Sequence, residues 1–211
     1  MPARVSEAFI LRTYPFREAD LIVSFFTRDQ GKLRGVARRA RKPKNPFGSG
    51  LERLSHVRMA YYLKEHAELA NLSSCELIES GFAVQADYGC SLALDYIAEV
   101  AEQLLPPQET NERFFRLIAA ILSRLRAGGE IWSAVDYFTL WAVRLSGFLP
   151  ELRTSPETAR LVEQMFTQPL EAFAGRDWKK STMPELRRSL VRAIEHHVER
   201  RLLTVPLLEA L

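Results

Sequence analysis

Cysteine is scarce here: Cys75 and Cys90 are the only two thiols in 211 residues. They lack CxxC spacing and have no cysteine partners to complete a zinc site, so both read as small buried side chains. A structural disulfide is not expected in a reducing compartment. Long apolar runs are missing too, and none approaches the roughly 18–20 residues a membrane-spanning helix needs. The N-terminus, Met1-Pro2-Ala3-Arg4, turns at once into alternating sequence without a signal-peptide core. Cytosol is the expected compartment, with no membrane contact.

Motifs of catalysis are equally sparse. No GxxxxGK[ST], GxGxxG or GxSxG occurs, so nucleotide-phosphate and serine-hydrolase chemistry have no support. Glu18, Asp20 and Asp29 sit among cations near turns without a second acidic cluster, which argues against a nuclease metal site. His196 and His197 are adjacent and leave a helix about 100° apart, without the i, i+4 spacing of a zinc pair. His197 falls beside an apolar stripe and reads as a packing residue. His56 and His66 have no thiol or carboxylate nearby in a catalytic pattern. No enzyme activity, cofactor or metal is expected.

What is present fits a globular protein: 47% hydrophobic and 26% charged residues, room for one large domain or two small ones. The net charge of +3 is unevenly divided. Residues 1–66 hold 14 Lys/Arg against 6 Asp/Glu, a net of +8, while residues 67–211 hold 15 against 20, a net of −5. Like charges crowded on a small domain repel unless a polyanion neutralises them.

The basic third reads as short strands: Val5–Tyr14, Leu21–Thr27, Lys32–Arg38, Val57–Lys64 and a weaker one over Ala67–Cys75. In the first, Val5, Phe9 and Leu11 alternate but Ile10 falls on the other face. Asp29-Gln30-Gly31 makes a short hairpin loop. Arg39–Gly50, with two prolines and two glycines, reads as a mobile, exposed loop. Five short strands in some eighty residues suit a small closed barrel, and the OB-fold is the common five-stranded form.

Beyond Gly81 the period becomes helical. Helices are expected over Ser91–Leu105, over 111–126 with its stripe Phe114, Leu117, Ile118, Ile121 and Leu125, and over Ile131–Ser146, which is apolar nearly all round. Ser155-Pro156-Glu157 is a helix start, and Thr182…Glu185 matches a capping box that opens a last helix to about Leu203. The expected architecture is α+β: a barrel domain over residues 1–80, then an all-α domain over 81–211.

The strongest functional signal is Lys32 to Lys44, with seven cations in thirteen residues and no acid. Strand alternation puts Lys32, Arg34 and Arg38 on one face, while Arg39, Arg41, Lys42 and Lys44 continue onto the loop. Such a ridge neutralises phosphates with release of counterions. Nearby aromatic faces stack bases of any sequence, and Tyr62, Phe47 and Tyr14 are the candidates. Arg12, Arg17 and Arg58 complete the candidate nucleic-acid contacts. Two rival readings use the same features: an OB-fold RNA-binding or ribosome-associated factor, and a scaffold whose basic barrel binds acidic protein tails.

The residues also carry a family resemblance. The stretches Phe9–Val23 and Phe26–Arg38, followed by Arg41-Lys-Pro-Lys44 and Phe47-Gly48, resemble the opening of RecO recombination-mediator proteins. Gly147-Phe-Leu-Pro-Glu-Leu152 is similar to a phrase the family places after a buried helix. The resemblance implies an OB-fold followed by a helical domain in a bacterial cytoplasmic protein that joins the nucleoid during DNA repair. It implies binding of single-stranded and also double-stranded DNA, annealing of complementary strands, and help in loading RecA onto DNA coated by single-strand-binding protein. Implied partners are RecR and the acidic tail of single-strand-binding protein, for which Arg113, Arg116, Arg124 and Arg126 are the candidate rim. Many family members carry a four-cysteine zinc module after the Gly-x-x-Pro-Glu-Leu phrase. Here Arg153–Ser181 contains no cysteine, so zinc is not carried over.

Overall fold

A computed structural model of the chain describes residues 3–64, 67–81 and 87–211. Met1, Pro2 and His66 lie outside the described residues. The chain divides into two compact units, one of residues 1–86 with 101–115 and the other of residues 87–100 with 116–211. The segment 101–115, beyond the expected border at residue 80, groups with the barrel.

In the first unit, β1 (Arg4–Phe16), β2 (Asp20–Thr27), β3 (Gly31–Ala37), β4 (His56–Tyr62) and β5 (Ala70–Glu79) form a closed barrel in the order β1-β2-β3-β5-β4. This is the expected five-stranded architecture. β1 pairs antiparallel with both β2 and β4, and the parallel β3–β5 pairing at Gly35↔Ala70 closes the ring. Period-2 alternation sends Ile10, Val23, Phe25, Leu33, Met59 and Tyr61 into one apolar core. β5 extends four residues past Cys75, because register with β4 continues to Glu79.

The broken alternation of β1 has a cause. Phe9 and Phe26 point outward yet are fully buried, because Phe115 and Phe114 from the 101–115 segment cover them, with ring centroids 4.6 Å (Phe9–Phe115) and 6.1 Å (Phe26–Phe114) apart. Burying each such ring contributes about 1.5–3 kcal/mol. The hairpin between β2 and β3 forms as expected. Thr27 Oγ1 donates to Gly31 O and accepts from Gln30 N, and Gly31 takes φ +73°. A Cβ there would stand 2.2 Å from the backbone oxygen of Glu109, so the same glycine admits the covering segment.

Among the described residues six helices follow: α1 (Tyr88–Leu104), α2 (Glu112–Arg126), α3 (Ile131–Leu145), α4 (Pro156–Thr167), α5 (Pro184–His197) and α6 (Val205–Glu209), with a 3-10 turn at Leu170–Phe173. None of the described helices is long and apolar enough to cross a membrane. α3 is the buried helix its composition predicts. Ser155 caps α4 through its side chain, which accepts from Thr158 N.

The last helix differs from expectation. It ends at His197, and α6 is separate. Its capping box does not form: Thr182 Oγ1 accepts from Lys179 N, and Glu185 accepts instead from the Thr158 hydroxyl. Glu185's own backbone N–H and that hydroxyl hold its carboxyl below the usual carboxylate range. His197 is exposed rather than packed in the stripe, with its ring stacked 4.0 Å from that of Phe148.

Within the second unit, the cysteine-free stretch after Arg153 is held by a polar network. Asp136, on α3, accepts from Arg187 Nε and Nη2, both at 2.8 Å, and from Trp178 Nε1 at 3.0 Å. The Arg187 guanidinium lies 4.2 Å from the Trp132 ring centroid. Both charges are buried, so removing one partner leaves the other uncompensated. Asp136→Ala is expected to cost about 3–5 kcal/mol in urea unfolding. Adding Arg187→Met to that variant should recover part of the loss. A double variant less stable than Asp136→Ala would refute this account.

Candidate nucleic-acid interface

Register aligns the outward side chains of the barrel in rows. Arg12 on β1 lies opposite Ser24 on β2, which lies opposite Arg34 on β3. The next row runs Tyr14, Ile22, Val36, Asn71 and Tyr62 across all five strands. Tyr62 is 43% exposed and stands two strands from Val36, about 10 Å at ordinary strand spacing. Arg12 lies over the Tyr14 ring and Arg17 over the Phe16 ring, each 5.1 Å from the centroid. One outward face thus carries cations braced on aromatic rings.

The β3 ridge is not uniform. Arg34 and Arg38 are exposed, but Lys32 is only 9% exposed. Its Nζ donates to the backbone oxygen of Glu102 at 2.5 Å, and Gln108 N donates to its carbonyl. Burial pushes the Lys32 amine below its ordinary pKa. Lys32 therefore does not belong to an open ridge, a correction that follows from the 101–115 segment lying over that end of β3. Arg34 Nη2 is 3.0 Å from Glu102 Oε1, and Arg58 Nη1 is 2.9 Å from Glu76 Oε2, directly opposite it on β5.

The loop from Arg38 to Ser55 is largely exposed, as its composition predicts, and carries several backbone anchors. Arg39 N donates to Asp20 Oδ1 and Arg41 N to Ala19 O, which ties the basic stretch to the β1–β2 turn. Asn45 Oδ1 accepts from Phe47 N and Gly48 N. Phe47 is buried in the barrel core and is no stacking platform. Arg38, Arg39, Arg41, Lys42 and Lys44 nonetheless stay exposed. Arg17, Arg39 and Lys44 have φ between +53° and +58°, a left-handed backbone that costs non-glycine residues roughly 1–2 kcal/mol each. Arg53, not foreseen from sequence, stands near Arg12; partial burial and that like charge push its pKa down.

Residues 1–81 match the family model described as recombination protein O N terminal, and residues 85–155 match recombination protein O C terminal. A DNA repair protein RecO of Koribacter versatilis is 40% identical over an alignment covering 98% of each chain. The chain belongs to the RecO family. Other RecO relatives are longer: that of Bifidobacterium adolescentis is 33% identical across 72% of this chain and 63% of its own length. The relative from Syntrophus aciditrophicus is 27% identical across 70% of this chain and 57% of its own.

In this RecO-family chain the four candidate partner arginines all lie on α2. Arg113 is exposed and belongs with the barrel unit. In the helical unit Arg116 is exposed, whereas Arg124 and Arg126 are half-buried and, two positions apart, leave α2 about 200° from each other. The Arg124 side chain packs where a Cβ on Gly129 would stand. No group of three His, Cys, Asp or Glu able to hold a metal occurs among the described residues. Buried Val162, Met165, Phe173 and Trp178 pack the stretch where zinc ligands were considered.

Cys75 reports on the loop. Its Sγ donates to Phe47 O at 3.1 Å, and burial pushes the thiol up to about 11. Cys90 is likewise pushed up to about 11 by burial and by Asp87. At neutral to mildly basic pH, alkylation of the folded protein should run roughly a hundredfold slower than in urea and speed up about tenfold per pH unit. Equal rates in the two states would contradict that burial.

Proposed function

We propose that the chain binds single-stranded DNA on the outer face of β1, β2 and β3 and on the adjoining Arg38–Lys44 loop, and that it performs no covalent chemistry. The observation that carries this reading is uncompensated charge. Arg38, Arg39, Lys42 and Lys44 extend into solvent with no acidic partner for their side chains among the described residues. They adjoin exposed Arg12 and Arg17, each braced on an aromatic ring.

Phosphate neutralisation by such cations releases counterions and supplies sequence-independent affinity. Half-exposed Tyr14 and exposed Tyr62 offer faces on which bases stack. Two strands, each with its phosphates neutralised, repel one another less while their bases remain accessible, which is what annealing requires. The same cations fit duplex phosphates. On this reading the protein works in the bacterial cytoplasm, at the nucleoid during repair, with RecR and the acidic tail of single-strand-binding protein as partners, and promotes RecA loading.

Charge reversal of Arg38, Arg39 and Arg41 together is expected to weaken oligo-dT binding at least about tenfold. The salt slope should fall by about 0.7 log units for each phosphate that is no longer neutralised. An unchanged slope in a salt titration by fluorescence anisotropy would reject these residues as the binding cations. Annealing of complementary oligonucleotides, with and without a coat of single-strand-binding protein, tests the mediator role.

A further inference from the structure

Glu102 is 6% exposed and sits on the outer face of the barrel, over the Arg12–Ser24–Arg34 row. Its Oε2 accepts the Ser24 hydroxyl at 2.5 Å, its Oε1 lies 3.0 Å from Arg34 Nη2, and its backbone oxygen accepts from Lys32 Nζ. The acid belongs to the last turn of α1, in the stretch that groups with the barrel. The two members of the pair differ in freedom: the carboxylate is buried and clamped by Ser24, while the Arg34 side chain is 54% exposed. An arginine in that position turns from one acceptor to another without unfolding anything.

We infer that Glu102 stands in for a DNA phosphate on the chain's own binding face, holding Arg34 in reserve and limiting the affinity of the barrel for a single strand. The inference rests on the DNA-binding reading above. A carboxylate and a phosphate present the same pair of acceptor oxygens to a guanidinium, so they compete for Arg34. The fixed negative charge also repels a backbone approaching the Ser24 end of the row. A bound strand is steered toward Val36, Arg38 and the loop, where the side chains of Arg38, Arg39, Lys42 and Lys44 have no acidic partner among the described residues.

The test compares wild type, Glu102→Gln, Arg34→Ala and the double variant by anisotropy with a short fluorescent oligo-dT over a range of salt. The glutamine keeps a hydrogen-bonding group at Ser24 and removes the charge. Glu102→Gln should bind about fivefold more tightly at 0.1 M salt, with a slope steeper by about 0.7, as one further neutralised phosphate requires. Arg34→Ala should abolish that gain in the Glu102→Gln background. Ser24→Ala loosens the same packing while leaving the acid in place, and should bring no gain.

If wild type binds and Glu102→Gln matches it in affinity and slope, the inference is overturned while the DNA site stands. An equal gain from Ser24→Ala would assign the effect to loosened packing and overturn it as well. If no variant retains oligo-dT even in dilute buffer, the DNA reading falls and takes this inference with it.

Discussion

A closed barrel offers no free strand edge, so anything it binds along its wall must be met by outward side chains and by loops at its ends. Closure here depends on the short parallel pairing of β3 with β5. That pairing depends on Gly35, where a Cβ would come within 2.6 Å of the Leu72 side chain. Once the ring is shut, the outer wall is divided by what covers it. One part lies under Phe114, Phe115 and Glu102. The rest keeps its cations in solvent, and the DNA reading depends on that contrast.

The barrel was legible because its signals are local. Period-2 alternation in β2, β3 and β4, a glycine in the hairpin and a charge-rich return strand each report on neighbours a few residues away. Burial of Phe9 on the outward face of β1 was not legible, since its cover comes from Phe115, more than a hundred positions along the chain. Lys32 was misplaced for the same reason. Alternation assigns it to the correct side of the strand, but no short-range pattern announces that Glu102 and Gln108 will lie over it. Composition gave the loop's exposure but not its anchors, an Asx turn at Asn45 and Phe47 inserted in the core.

The helical unit shows the opposite balance. Its stripes placed the helices well, and Ser155 caps α4 as its position suggests. The misreadings there are polar. Thr182 and Glu185 match a capping box in spacing, yet each finds a different partner, because Thr158 competes for the carboxylate. The Asp136–Arg187–Trp178 network joins residues scattered over some fifty positions, and no motif marks it. A buried bidentate pair of this kind contributes modestly to stability as a whole but penalises its own disruption. It fixes one arrangement of a stretch that has no disulfide to hold it.

The grouping of residues 101–115 with the barrel bears on how the molecule can be divided. The natural place to cut, judged by where strand patterning gives way to helix, lies near residue 80. A fragment ending there would bare Phe9 and Phe26 together on the wall and leave Lys32 and Ser24 without the partner that covers them. Exposed aromatic surface of that kind promotes self-association. The smallest autonomous piece of the barrel half is therefore discontinuous in sequence, and isolating it calls for a linker that spans the omitted helix rather than a stop codon.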